Sequence, residues 1–88
     1  MTFNELLRVV GSKGTEVQID SRRVKAGDVF VAIPGTNCDG HDFIGKAIQN
    51  GAKFIVSEKP FKSNGVEVIQ VEDSSEASAV LAQAARGN

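Results

Sequence analysis

The sequence predicts a small α/β domain in three layers, with helices on both faces of a mixed or mostly parallel sheet. Segments with helical and with strand periodicity alternate along the chain, in the order helix, strand, strand, helix, strand, strand, helix. The run at 29–33 is continuously apolar and rich in β-branched residues, which is typical of a central strand buried on both faces. We therefore expect a Rossmann-like arrangement of about four to five strands and three helices.

The first half of the chain is predicted to form a helix and two strands. Thr2 and Glu5 form a capping box, and apolar side chains on one helical face follow until Gly11 ends the helix. Alternating apolar and polar residues predict the first strand over 16–20. The second strand is the apolar run itself, and a Pro-Gly step stops it.

The second half is predicted to alternate helix and strand. Asp39 is expected to cap the second helix, which an Asn-Gly step ends. The buried face of this helix is expected to contain Phe43, Ile44, Ala47 and Ile48. Strands over 52–56 and 66–71 follow, and Asp73 begins a second capping box ahead of the last helix.

Length, charge and cysteine content exclude several classes of protein. At 88 residues the chain has room for one domain, residues 1–88. Ten basic and eleven acidic residues give a formal charge of −1, without the clustered Lys and Arg of a nucleic-acid binder. No apolar run reaches the roughly 18 residues of a membrane span, and no basic region precedes an apolar one at the N-terminus. The one cysteine, Cys38, cannot form an internal disulfide, so the fold does not depend on an oxidising compartment. We expect a cytoplasmic protein, because neither a signal peptide nor a membrane span is predicted, and we expect it to be a monomer.

Two polar loops are the candidate ligand-binding regions. Asp20-Ser21-Arg22 follows the first predicted strand, and a loop from Gly35 to His41 follows the second. A serine hydroxyl, backbone N–H groups and an arginine can hold a phosphate, and glycines allow close approach of a ligand. We expect the loops to lie at opposite ends of the buried strand and to share one cleft. The same residues can instead be a plain strand end, with Arg22 solvated, and an ordinary helix cap.

Three further interpretations of the polar residues stay open. A metal site would draw on carboxylates at irregular spacing and the one histidine: Asp20, Asp28, Asp39, His41 and Asp42. A Cys38–His41 pair is a nucleophile dyad by composition, although three residues of separation in a turn orient the imidazole poorly. A small independent enzyme would use Asp20, Asp39 and His41. A phosphate loop is excluded, because no Gly-Lys-Ser or Gly-Lys-Thr occurs in the chain.

The residues of both loops and of the strand between them resemble a known family. The pattern is Ile19-Asp20-Ser21-Arg22, then Val24-Lys25-x-Gly27-Asp28-x-Phe30-Val31-Ala32, then Gly35, then Asp39-Gly40-His41-Asp42-Phe43-Ile44, then Ala47 and Gly51-Ala52. It is similar to the N-terminal domain of Mur ligases, from about residue 15 to the end of the chain. These are cytoplasmic ATP-dependent enzymes that add amino acids to the peptidoglycan precursor.

Two types within this family share the pattern. Type E adds the third residue to UDP-N-acetylmuramoyl-L-alanyl-D-glutamate, and type F adds D-alanyl-D-alanine to the tripeptide. The tail, with Val68 to Asp73 followed by a helix ending in Gly87-Asn88, looks more like type E. It departs from the type E pattern at Ala85-Arg86, where an aromatic pair often stands. Type F and a ligand-free interaction module are the alternatives.

The resemblance implies that this chain holds the UDP part of a UDP-N-acetylmuramoyl peptide. The positions that match substrate contacts are Ile19, Ser21, Thr36, Asn37 and Cys38. The positions expected to shape the two loops are Asp20, Arg22, Gly35, Asp39, Gly40 and His41. No catalytic residue and no metal ligand is implied here, since the ATPase and C-terminal domains are missing. ATP and Mg²⁺ belong to the whole enzyme, where Mg²⁺ would clamp the phosphates.

Overall fold

The computed structural model describes residues 2–13, 15–35, 39–61 and 65–86. Within these ranges the elements are α1 (Phe3–Lys13), β1 (Val17–Gln18), β2 (Val29–Val31), α2 (Ile44–Gln49), β3 (Phe54–Ser57), β4 (Glu67–Gln70) and α3 (Ser74–Ala85). Two short 3₁₀ helices, Ser21–Arg23 and Gly40–Phe43, follow β1 and β2. We name each 3₁₀ helix together with the aspartate that caps it: the Asp20 turn comprises residues 20–23, and the Asp39 turn comprises residues 39–43.

The four strands form one sheet in the order β1-β2-β3-β4, and every neighbouring pair is parallel. Val17 is in register with Val29, and Phe30 with Ile55. Parallel pairing throughout means that the carboxyl ends of all four strands lie along one edge of the sheet. The predicted fold class, an α/β domain with three helices, is confirmed.

Two apolar cores lie on opposite faces of the sheet. On one face α1 and α3 pack against alternate residues of β2 and β3, with Leu6 and Leu81 fully buried. On the other face Ile44 of α2 packs near Phe30 and Ile55. Because successive side chains of a strand point to opposite faces, the continuous apolar run in β2 supplies both cores. The prediction of a strand buried on both faces is therefore confirmed.

The predicted capping box at the start of α1 is present, but the predicted end of that helix is wrong. The N–H of Glu5 donates to Thr2 Oγ1 (3.2 Å) and the N–H of Thr2 donates to Glu5 Oε1 (3.0 Å). Instead of stopping at Gly11, α1 continues to Lys13. Gly11 lies against α3, where a Cβ would be 3.7 Å from the carbonyl oxygen of Ala84. Gly11 therefore lies at a point where two helices are close together. The sequence pattern had indicated a helix end at this glycine.

The second helix begins later than predicted and ends as predicted. Residues 40–43 form a 3₁₀ turn, and α2 itself starts at Ile44. Phe43 therefore leaves the predicted buried face and is 42% exposed. At the other end, Gly51 has φ +113°, and its missing Cβ would lie 2.7 Å from Cα of Ala26. Only glycine fits this helix end, because both the backbone conformation and the close packing exclude a side chain.

Candidate ligand-binding site

The Asp20 turn and the Asp39 turn lie side by side at the same edge of the sheet. The Asp20 turn follows the carboxyl end of β1, and the Asp39 turn follows that of β2. Since β1 and β2 are parallel, both turns are at one edge. The expectation that the loops sit at opposite ends of the buried strand is wrong, because sequence order does not reveal strand direction. Ligand sites in open α/β sheets occur at this edge.

A cleft of about 520 Å³ opens between the two turns. It is lined by Ile19, Asp20, Ser21, Arg22, Phe30, Ile33, Gly40 and Phe43. This volume is within the range of clefts that hold small molecules, roughly 300–1,000 Å³. The shared cleft that the sequence predicts is therefore present, built from the ends of two adjacent strands.

Two large apolar side chains stand exposed in this cleft. Ile19 is 61% exposed and Phe43 is 42% exposed, whereas Phe30, which lines the cleft from β2, is buried. An aliphatic and an aromatic side chain exposed on one concave surface make that surface suited to binding. The cleft therefore fits a ligand with a flat or apolar part.

The Asp20 turn presents a charged and a polar side chain beside these apolar residues. Asp20 Oδ1 accepts the N–H of Arg22 (2.9 Å) and its Nε–H (3.1 Å), and Oδ2 accepts Nη2 (2.9 Å). The Arg22 side chain and N–H lower the pKa of Asp20 from 3.8 to about 2. Ser21 lines the cleft, and its hydroxyl has no hydrogen-bond partner among the described residues. Asn50 holds the turn from α2 by donating to the Ser21 carbonyl (2.8 Å).

The Asp39 turn is built by the same local bonds. Asp39 Oδ1 accepts the N–H of His41 (2.9 Å) and lies 2.7 Å from His41 Nδ1, while Oδ2 accepts Lys59 Nζ (3.2 Å). The backbone N–H of His41, then its imidazole and Lys59, lower the pKa of Asp39 from 3.8 to about 2. The carboxylate therefore stays ionised at neutral pH, as a fixed acceptor inside the turn.

His41 points away from the cleft and joins the Asp39 turn to the end of β3. Its side chain is 6% exposed, and Nε2 accepts the backbone N–H of Glu58 (3.0 Å). An imidazole nitrogen that accepts a hydrogen bond carries no proton, so the proton is on Nδ1 and is donated to Asp39. The contacts of the ring thus select one neutral tautomer.

Gly40 brings the backbone of the Asp39 turn against the chain that leaves β2. Its N–H donates to the Ile33 carbonyl (2.8 Å), and a Cβ would lie 2.5 Å from Ile33 N and 2.9 Å from Ile33 O. No side chain fits in this space. The absence of a side chain at residue 40 therefore sets the distance between the turn and β2, and with it one wall of the cleft.

The predicted site residues divide into three groups. The cleft is lined by Ile19, Asp20, Ser21, Arg22 and Gly40, whereas Asp39 and His41 lie behind it as structural partners and Gly35 does not line it. Thr36, Asn37 and Cys38 lie outside the described residues, as does any test of a Cys38–His41 dyad.

Sequence reasoning missed Phe30, Ile33 and Phe43 as lining residues. Phe43 was assigned to a buried helix face, because its spacing from Ile44 and Ala47 suits a helix that starts earlier. The sequence from Asp39 to His41 does contain a signal for the later start of this helix. An aspartate that caps the residue two positions later forms a tight turn, which delays the helix and rotates Phe43 outward.

The alternative interpretation as a metal site is not supported in the described ranges. There, no three of the His, Cys, Asp and Glu side chains come together in a way that could hold an ion. Asp28 is buried instead, and Oδ2 accepts the N–H of Lys25 (2.8 Å) within a turn. Within the same ranges, no helix has the length and apolar character needed to cross a membrane.

A family model described as "Mur ligase family, catalytic domain" matches residues 13–86. The chain belongs to the Mur ligase family. The resemblance found in the two loops is thus confirmed, and the matched residues include both turns and the cleft between them.

Curated relatives of this Mur ligase chain carry one shared name, UDP-N-acetylmuramoyl-L-alanyl-D-glutamate–2,6-diaminopimelate ligase. The relative from Oceanobacillus iheyensis is 46% identical over 69 residues, which cover 77% of this chain and 14% of the relative. The relative from Bacillus velezensis is 47% identical over 73 residues, covering 83% of this chain and 15% of the relative. The chain therefore spans only a small part of the length of these ligases.

Solved structures of Mur ligases share the fold. The crystal structure of MurF ligase from Thermotoga maritima in complex with ADP superposes with a TM-score of 0.69 at 38% identity, covering 88% of this chain and 16% of that one. A crystal structure of MurF from Acinetobacter baumannii gives the same TM-score at 24% identity, covering 88% of this chain and 19% of that one, and supports the fold alone.

Proposed function

We propose that residues 1–88 are the N-terminal substrate-binding domain of a type E Mur ligase and hold the UDP part of UDP-N-acetylmuramoyl-L-alanyl-D-glutamate. The observation that carries this proposal is the cleft of about 520 Å³ shared by the Asp20 and Asp39 turns. Membership of the Mur ligase family and the names of the curated relatives support the type of substrate. The setting would be cytoplasmic synthesis of the peptidoglycan precursor, and thus cell-wall biogenesis, cell shape and division.

The chemistry of the cleft matches the parts of a uridine nucleotide. Ile19 and Phe43 offer apolar and aromatic surface to the uracil ring, which can stack on such side chains. Arg22 offers a guanidinium, and Ser21 a hydroxyl without a partner among the described residues, to the ribose and diphosphate. We assign Thr36, Asn37 and Cys38 to the same substrate on the resemblance to the family.

In this proposal the chain positions the substrate and takes no part in the chemistry. Binding the nucleotide handle at a distance holds the reacting carboxylate in place, which is a contribution to catalysis through orientation. The residues present do not fit ATP or Mg²⁺. The sequence has no Gly-Lys-Ser or Gly-Lys-Thr step, and no cluster of carboxylates forms in the ranges that the structure describes. We assign ATP binding and bond formation to the further length that the relatives have.

The proposal is tested by titrating the ¹⁵N-labelled chain with UDP and following backbone amide shifts. We expect saturable shifts confined to 19–22 and 35–43, with a dissociation constant near the millimolar range (~1 mM, or about 4 kcal/mol of binding free energy). ADP and pyrophosphate are the matched ligands. Weaker binding by ADP shows that the uracil is recognised, whereas equal shifts with pyrophosphate alone indicate an anion site without base recognition.

Variants on the two walls of the cleft sharpen the test. Phe43→Ala and Ser21→Ala are each expected to weaken UDP binding by about five- to tenfold, through lost ring contact or a lost hydrogen bond. Val80→Ala is the control, because Val80 is exposed to a similar degree (39%) but lies on α3, outside the cleft. No amide shift at UDP concentrations well above millimolar would contradict the proposal.

The type F ligase is the second candidate, because a solved MurF ligase shares 38% identity and the fold with this chain. The two types differ in the amino acid or dipeptide that they add, whereas both carry a UDP-linked substrate in our proposal. Ligase assays of the full-length protein that contains this chain distinguish them. Product formation with D-alanyl-D-alanine, and none with 2,6-diaminopimelate, would replace the type E assignment by type F.

A further inference from the structure

His41 is a nearly buried imidazole with both ring nitrogens engaged, although it does not line the cleft. Nδ1 faces the Asp39 carboxylate, an acceptor, and Nε2 faces the N–H of Glu58, a donor. The two neighbours demand opposite roles from the two nitrogens. A neutral imidazole with its proton on Nδ1 meets both demands at once, whereas a protonated ring would direct an N–H at the N–H of Glu58.

The contacts of Glu58 continue from this imidazole to the start of α3. Its carboxylate oxygen Oε2 accepts the N–H of Ser74 (2.8 Å) and the Ser74 hydroxyl (2.9 Å), and Ser74 is fully buried. The backbone carbonyl of Glu58 accepts a longer bond from Gln70 (3.4 Å). Glu58 is thus fixed by β4 and α3, so that the group to which His41 is tied belongs to the rigid part of the fold.

We propose that His41 is a positioning residue for the ligand of the cleft. As the neutral Nδ1–H imidazole, it fixes the Asp39 turn, and with it the exposed ring of Phe43, against the end of β3. This inference rests on the proposed function, since it concerns the same cleft. It assigns to His41 an effect on ligand affinity that its burial behind the turn would not suggest.

The physical basis is preorganisation of a wall that would otherwise move. Phe43 is 42% exposed, so packing alone holds its ring weakly. A turn that is ordered only when ligand binds loses conformational entropy at that moment, and the loss lowers the affinity. With His41 in place, this entropy is lost during folding, and the ring is already oriented when the ligand arrives.

The tautomer is measured first, in the free chain, from the ¹⁵N shifts of the His41 ring. We expect Nδ1 to be protonated, Nε2 unprotonated, and the amide proton of Glu58 to show coupling across its hydrogen bond to Nε2. A merely space-filling imidazole would not require this tautomer. A proton on Nε2 in the neutral ring would overturn the inference whether or not UDP binds.

Affinity is measured next with two variants and a control. His41→Asn keeps a donor for Asp39 but is too short to reach Glu58, so UDP should bind about five- to tenfold more weakly, the effect of losing one buried hydrogen bond. His41→Gln places an amide oxygen nearer the N–H of Glu58 and should recover part of the loss. Lys46→Ala, on the exposed side of α2, should stay within about twofold of the unmodified chain.

The outcomes separate this inference from the proposed function. If the unmodified chain and His41→Asn bind UDP equally well, the inference is overturned and the proposed function stands. If the unmodified chain shows no UDP shifts, the proposed function fails and the inference fails with it. Should His41→Asn not fold, the affinity of His41→Gln relative to the unmodified chain and the tautomer of the unmodified chain decide.

Discussion

The Asp20 turn and the Asp39 turn have the same local construction and opposite surroundings. In each, an aspartate Oδ1 accepts the backbone N–H two residues later at 2.9 Å, and its carboxylate bonds the side chain of that same residue. The side chain is Arg22 in one turn, 84% exposed, and His41 in the other, 6% exposed. The residue directly after the aspartate is Ser21 in the Asp20 turn and Gly40 in the Asp39 turn.

The comparison shows that local sequence builds the turn, while tertiary contacts decide its role. Nothing from the rest of the fold bonds Arg22 in the described chain, so its charge faces the cleft and the solvent. His41 is bonded by the N–H of Glu58 and becomes part of the framework. One turn therefore presents groups to a ligand, and the other fixes a wall for it.

The largest expected difference in the free energy of unfolding is at the residue directly after the aspartate in each turn. Gly40→Ala would place a Cβ 2.5 Å from Ile33 N, against backbone that cannot yield, and should lower the free energy of unfolding by about 3 kcal/mol. Ser21→Ala removes a hydroxyl that has no partner in the described chain and should change it by less than about 0.5 kcal/mol.

Urea denaturation of both variants measures this contrast. A Gly40→Ala chain as stable as the unmodified one would contradict the close packing of the Asp39 turn on β2. A large loss in Ser21→Ala would show instead that the Ser21 hydroxyl has a structural role.

A smaller difference in the free energy of unfolding is expected at the residue two positions after the aspartate in each turn. His41→Ala leaves the Glu58 N–H and one bond of Asp39 without their partner and should lower the free energy of unfolding by about 2 kcal/mol. Arg22→Ala should lower the free energy of unfolding by less than about 1 kcal/mol, because an exposed ion pair contributes little. Equal losses in the two variants would mean that the difference in exposure has no energetic consequence.

The smallest effect, and the one in which the turns should agree, is on acid stability. The pKa of Asp20 and that of Asp39 are each lowered from 3.8 to about 2. The unfolded chain then takes up these protons before the folded chain, so the stabilisation present above about pH 4 is lost as the pH falls towards about 2. Asp20→Asn and Asp39→Asn should each flatten the pH dependence of the unfolding free energy in this window. An unchanged slope in either variant would contradict the lowered pKa of that residue.

Much of the fold could be predicted because local rules and burial agree there. The capping box at Thr2, the aspartate cap at Asp73, the glycine after α2, and the apolar run of β2 each specify structure through nearby residues or strict periodicity. The end of α1 and the start of α2 were predicted wrongly, because a glycine and a capping aspartate are typical of helix ends but here lie inside α1 and at a 3₁₀ turn. Gly11 lies within α1, at a point where α3 is close to it.

The two loops beside the cleft could be predicted from the sequence, whereas the geometry of the cleft and three of its lining residues, Phe30, Ile33 and Phe43, could not. Polar turn residues identify the two loops, yet only parallel pairing of β1 with β2 brings both to one edge. Phe43 joins the cleft because a 3₁₀ turn delays α2, and Glu58 bonds His41 across 17 residues of sequence. Contacts of this range have no local sequence signal.

The most direct test of a site shared by the two turns is to locate the uracil ring of bound UDP on the chain. Intermolecular NOEs between the uracil protons of bound UDP and isotope-labelled side chains report this position without substitution of any residue. We predict NOEs to the Ile19 methyl groups and to the Phe43 ring in the same complex, one from each wall of the cleft. NOEs only to residues away from these two, at saturating UDP, would contradict a site shared by the two turns.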